Sequence, residues 1–111
     1  MTDCIFCKII TGQIPSDKIF DDDQVVVFRD IRPKAKVHLL IVAKEHINNL
    51  FEAKPLHEKL LSHMLLVAPM VAKQEGLHNG FRTVINTGAG GGQEIDHIHF
   101  HVLGGGGLPR F

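Results

Sequence analysis

The stretch Asp96-His97-Ile98-His99-Phe100-His101-Val102-Leu103 constrains the fold more than any other part of the chain. Successive side chains of an extended chain point to opposite faces. A strand here therefore gathers His97, His99 and His101 on one face and Ile98, Phe100 and Val102 on the other. A helix would instead rotate each histidine by about 200° from the next and scatter the three round its axis. The alternation predicts a strand with one face against a core and the other turned toward chemistry. Same-face neighbours on a strand lie roughly 6.6 Å apart, so His97 and His101 stand about 13 Å apart at Cα, while zinc holds each ligand nitrogen within about 2.1 Å. All three on one metal is geometrically awkward, so the triad should divide its labour, one end serving a metal and the centre another task. A neutral imidazole is a competent nucleophile near its ordinary pKa of about 6.5, and a protonated neighbour can stabilise phosphoryl charge.

The remaining elements follow from pattern. Residues 3–11 place Ile5, Phe6, Ile9 and Ile10 on one side of a short helix, with Asp3 as the expected N-cap and Gly12 as the stop. Ile19 and Phe20 read as a short strand, and Asp21-Asp22-Asp23 as a solvated turn. Residues 24–30 and 37–43 are rich in β-branched and apolar residues and predict two strands. Asn48 or Asn49 caps a helical turn through Phe51. Apolar residues at three- and four-residue spacing over 56–74 predict the main amphipathic helix, kinked at Pro69. His57, His63 and His78 read as surface residues. Residues 81–87 form a strand, and a glycine loop, 88–93, precedes the triad. This order predicts one α+β domain over 1–111, an antiparallel sheet with helices on one side.

Composition bounds the function. With 12 basic and 12 acidic residues there is no net field to steer the chain onto nucleic acid or an anionic membrane. The longest apolar run, 64–72, falls far short of the ~20 residues that cross a bilayer. No basic-then-apolar signal precedes the first helix, so a cytoplasmic location is expected. Cys4 and Cys7, the two cysteines, make a C-x-x-C that suits metal binding or redox chemistry. The glycine loop suits either an anion site, since exposed N–H groups can approach phosphate closely, or a flexible hairpin.

The triad segment, preceded by Gly92-Gln93-Glu94, resembles the signature of the histidine-triad superfamily, and the chain from Cys4 to Gly105 is similar to its Hint branch of nucleotide-binding proteins. Further matching segments are Phe28-Arg29-Asp30-Ile31-Arg32-Pro33, His38-Leu39-Leu40-Ile41-Val42 with Lys44-Glu45-His46, and Val84-Ile85-Asn86. The resemblance implies a five-stranded antiparallel sheet that dimerises into a continuous sheet. It also implies a purine nucleoside phosphoramidate and acyl-nucleotide hydrolase.

By the same carry-over His99 attacks the α-phosphorus, His101 contacts phosphate oxygens and His38 supports them. Asn86, Gly92, Gln93 and Glu94 hold the phosphate, Asp30 takes the ribose hydroxyls, and Ile5, Phe6, Ile9, Phe28 and Ile31 form the purine slot. Structural zinc is implied on Cys4, Cys7, His46 and His97. Glu94 stands where some members carry serine, and a carboxylate there favours amine or cationic leaving groups. Dinucleoside polyphosphate hydrolysis of the Fhit type, and a nucleotide-binding adaptor role with incidental hydrolysis, are the alternative readings.

Overall fold

The computed structural model describes residues 3–111; Met1 and Thr2, on which the reading of the N-terminus and of a domain over 1–111 partly rests, lie outside them. Five strands, β1 (Lys18–Asp21), β2 (Val25–Arg29), β3 (Val37–Ala43), β4 (Arg82–Val84) and β5 (His99–Gly104), form one antiparallel sheet in the order β1-β2-β3-β5-β4. The helices are α1 (Ile5–Ile10) and α2 (Glu58–Gln74). The predicted sheet is thus present.

Strands β2 and β3 read as continuous apolar runs because both of their faces are covered. On one face Val25, Val27, Leu39, Ile41, Phe100 and Val102 pack against Leu60, Met64, Val67, Ala68 and Val71 of α2. On the other, Val26, Phe28, Leu40 and Val42 pack against Phe6 and Ile9 of α1. The helices therefore sit on opposite faces of the sheet, not on one side. The residues of α1 face the same side as the triad, which is how a helix of 6 residues comes to wall a cleft.

Several local expectations are corrected. The N-cap of α1 is Cys4, not Asp3: its sulfur accepts from the Cys7 N–H at 3.4 Å, drawing both cysteines into one turn. Regular pairing of the triad segment begins only at His99, with His97 in a bend just before it, and β4 is confined to Arg82–Val84. Helix α2 begins at Glu58, after a 3₁₀ turn over Pro55–His57, rather than at residue 56, and it contains Pro69.

His57 is buried rather than exposed. Its Nδ1 accepts from the Lys54 N–H at 2.9 Å and its Nε2 lies 3.0 Å from Glu45. His63 is half-buried and pairs with Asp22 at 2.7 Å, tying α2 to the β1–β2 turn. That turn is closed by Asp22 itself, whose Oδ1 accepts from the N–H groups of Gln24 and Val25 at 2.8 Å each. His78 is exposed as expected. No described helix is long and apolar enough to cross a membrane.

Candidate active site and metal centre

The register of β3 on β5 sets Leu40 opposite His101 and Val42 opposite His99, with His38 one step along, opposite Leu103. Same-face residues displaced by two positions across a pair lie close enough for long side chains to meet. His38 Nε2 accordingly reaches His101 Nδ1 at 2.9 Å. These histidines open into a cleft of about 500 Å³. Ile5, Phe6 and Ile9 of α1 line it with Phe28, forming an apolar end. Asp30 and Ile31 continue that wall, and Asn86, Gly92 and Glu94 face it from the glycine loop and its approach. Phe6 packs edge-on against His99 with ring centroids 5.0 Å apart.

Hydrogen-bond partners determine each imidazole's tautomer, since a neutral ring has one N–H and one lone pair. The Lys34 N–H donates to His38 Nδ1 at 3.1 Å, so the His38 proton sits on Nε2 and is donated to His101 Nδ1. The His101 proton is then on Nε2, a donor left for a ligand. His99 donates Nδ1–H to the His97 carbonyl at 2.6 Å, leaving Nε2 with its lone pair. Burial holds His38 and His99 below the usual imidazole range. His101 is pushed down to about 4, first by burial and then by the neighbouring His99 and His38. The cleft therefore presents neutral imidazoles at neutral pH, one as a nucleophile and one as a donor.

A second arrangement, of two cysteines and two histidines, lies beside the cleft. One ligand atom from each of Cys4, Cys7, His46 and His97 falls within 4.8 Å of all the others. Cys4 Sγ is 3.3 Å from His97 Nδ1, and Cys7 Sγ is 3.2 Å from His46 Nδ1 and 3.6 Å from His97 Nδ1. Tetrahedral zinc with bonds of about 2.3 Å to sulfur and about 2.05 Å to nitrogen requires S···N separations near ~3.5 Å, so the cluster has the dimensions of such a site. Both rings are aimed by their other nitrogen: His97 Nε2–H donates to the Ala43 carbonyl at 2.6 Å and His46 Nε2–H to Asn48 Oδ1 at 2.8 Å. Outer partners of this kind orient metal-binding imidazoles.

Two sequence-predicted contacts sit differently from expectation. Gln93 does not line the cleft with its side chain; it is buried, with all its amide hydrogen bonds made to main chain. The Gly92 N–H is spent within the loop, on the Ala89 carbonyl at 3.1 Å, whereas the Glu94 N–H takes part in none of the loop's internal bonds. Asn86 makes no side-chain hydrogen bond within the described residues and is available to a ligand. One oxygen of Asp30 accepts from the Arg32 N–H at 2.8 Å, closing the turn after β2. Lys34 and Ser16 also line the cleft and were missed. The role of Lys34 is made by its main chain, and Ser16 follows a Pro break whose direction no residue pattern signals.

Over residues 3–106 the chain matches the family described as "Scavenger mRNA decapping enzyme C-term binding". It is 48% identical over 104 residues to the HitA protein of Neisseria gonorrhoeae, covering 94% of this chain and 97% of that protein. It is also 48% identical to a 14 kDa zinc-binding protein of Brassica juncea over 105 residues, covering 93% of each. The crystal structure of a HIT family hydrolase from Legionella pneumophila Philadelphia 1 superposes with a TM-score of 0.93 at 44% identity, covering 96% of each chain. With the triad, the sheet and the cleft, these place the chain in the histidine-triad superfamily.

Proposed function

We propose that this protein is a purine nucleoside phosphoramidate and acyl-nucleotide hydrolase that works through a nucleotidyl-histidine on His99. The observation carrying this reading is the 2.6 Å bond from His99 Nδ1–H to the His97 carbonyl. It leaves a neutral Nε2 lone pair on a cleft that has an apolar slot at one end and polar donors at the other. The base enters between Phe6, Ile9 and Phe28, the ribose hydroxyls meet Asp30, and the phosphate meets His101 Nε2–H, Asn86 and the Glu94 N–H. His99 Nε2 bonds to the α-phosphorus as the P–N bond breaks, and the amine departs with a proton taken from solvent at the open mouth. Water then attacks the same phosphorus, releasing nucleoside monophosphate and restoring His99. Donors placed before the reaction act on charge that develops on phosphoryl oxygens without reorganising.

Cys4, Cys7, His46 and His97 hold a structural zinc in this reading; four protein ligands leave no open position for catalysis. The zinc-binding name of the Brassica relative supports it. Two copies pair through the exposed Leu65, Leu66 and Met70 of α2 and the edge strand β4, extending the sheet. Dinucleoside polyphosphate hydrolysis has one observation in its favour: Arg32 and Lys34 on the cleft wall suit an anionic leaving group. The kcat/KM for an adenosine phosphoramidate, measured beside that for a diadenosine polyphosphate, separates the readings. The phosphoramidate is expected to be the better substrate, and the reverse order would transfer the assignment to the second reading.

A further inference from the structure

The geometry points to Gln93 as a positioning residue: its buried side chain fixes the glycine loop, and so places the polar groups that meet the phosphate, without touching the ligand. Three hydrogen bonds carry this. Gln93 Oε1 accepts from the Gly88 N–H at 2.8 Å, and Nε2 donates to the Asn48 carbonyl at 2.7 Å and the Ile95 carbonyl at 2.9 Å. The amide's orientation is unambiguous, because two carbonyls require the NH₂ end.

These side-chain bonds join three segments and reinforce two main-chain ones, from the Gln93 N–H to the Gly88 carbonyl at 3.1 Å and from the Ile98 N–H to the Ile47 carbonyl at 2.7 Å. Gly88 opens the loop and Gly92 closes it, with φ of 72° and 83°, values that leave the backbone few alternatives to glycine and little intrinsic rigidity. Between them the chain makes one 3₁₀ turn of three small residues, Ala89–Gly91, none of them buried. Packing therefore does not fix the loop. Gln93 grips its first residue from behind, anchors it to the connection after β3 through Asn48, and holds Ile95 on the far side of Glu94. Glu94, which faces the cleft, is thus clamped between two residues bound to the same amide or carrying it. The anchor is itself fixed: the Asn48 side chain accepts from His46 of the Cys/His cluster and donates to Glu52 at 3.1 Å. The side chain of Gln93 thereby ties the phosphate end of the cleft to the wall that carries the cluster.

This inference rests on the nucleotide reading and predicts a particular signature. Gln93→Met keeps the volume and removes the three hydrogen bonds. AMP affinity by calorimetry should fall about tenfold or more, which is about 1.4 kcal/mol or more. Adenosine affinity, set at the other end of the cleft, should hold within about twofold. Amide exchange at 88–94 should accelerate in the same variant while zinc content and α2 protection are unchanged. Gln93→Glu, which retains the acceptor for Gly88 but sets a carboxylate against two carbonyls, should show the same AMP-selective loss. Unchanged AMP affinity in both variants, or equal losses for AMP and adenosine with loss of zinc, would overturn the proposal. Wild-type protein that binds no AMP would instead defeat the nucleotide reading itself.

Discussion

The His97 carbonyl accepts the Nδ1–H of His99 at 2.6 Å, while the His97 ring turns the opposite way to meet Cys4 at 3.3 Å. One residue thus orients the candidate nucleophile with its main chain and enters the Cys/His cluster with its side chain. Two histidines apart in sequence serve two sites because the chain bends between them before β5 begins.

Metal removal tests how strongly the two sites are joined. Helix α1 supplies Cys4 and Cys7 to the cluster and Phe6 and Ile9 to the cleft. A ligand at a hundredfold excess over its Kd adds about 2.7 kcal/mol of stability. At roughly 4–8 °C per kcal/mol for a domain of this size, a strong chelator should lower Tm by about 10 °C or more. The purified protein should carry one zinc per chain by elemental analysis, and Cys4→Ala should carry less. Full-length protein without zinc whose Tm ignores both chelator and added zinc would rule the structural metal out.

In the proposed mechanism His38 acts through His101, whose Nδ1 it meets at 2.9 Å. Removing it in His38→Ala leaves His101 Nδ1 without its donor and frees the ring to adopt the other tautomer. A buried polar atom left without its partner costs about 1–3 kcal/mol, so kcat should fall about tenfold to hundredfold with KM changed little. Steady-state kinetics on an adenosine phosphoramidate reads this directly, and a pure KM effect would place His38 in binding instead.

Stability should depend on pH through His101. Its folded pKa of about 4 lies below the ordinary value of 6.5, first because of burial. Between those values the unfolded chain binds the proton and the folded protein does not, so stability is fully present above about 6.5 and is lost as pH falls toward 4. Urea midpoints at pH 7 and pH 5 should differ in that direction, with a smaller difference in His101→Gln. A difference untouched by the substitution would assign the effect to other groups.

Glu94 faces the cleft and is exposed at its mouth. A carboxylate there attracts cationic leaving groups, so Glu94→Ser should reduce the preference for amines with a second positive charge over neutral amines. A modest, salt-sensitive change of a few-fold is expected for an exposed charge. Identical relative rates in the two proteins would show that Glu94 takes no part in leaving-group choice.

Much of this architecture is written in periodicity. Val25 to Phe28 and Leu39 to Val42 are apolar on both faces, and the alternation of Ile98, Phe100 and Val102 with the histidines survives although regular pairing starts at His99. Periodicity says that β2 and β3 are covered twice, but not by which helix, so the placement of α1 opposite α2 was not legible. Single polar residues were harder still. His57 lies among charged neighbours yet is buried, because Lys54 and Glu45 satisfy both its nitrogens. Gln93 belongs to the matching motif but points inward, since the bend after the glycine loop breaks the two-residue alternation that would have given its direction. The C-x-x-C pointed by itself to metal or redox chemistry, but that His46 and His97 join it was accessible only through the family resemblance, since the four residues are spread from position 4 to position 97.

The central claim, that His99 carries the nucleotidyl group, is tested most directly by intact-protein and peptide mass spectrometry of samples quenched during turnover of an adenosine phosphoramidate. The account predicts an adenylyl mass on the peptide containing His99, absent in His99→Ala. No adduct at any quench time, or an adduct on another residue that survives in His99→Ala, would contradict it.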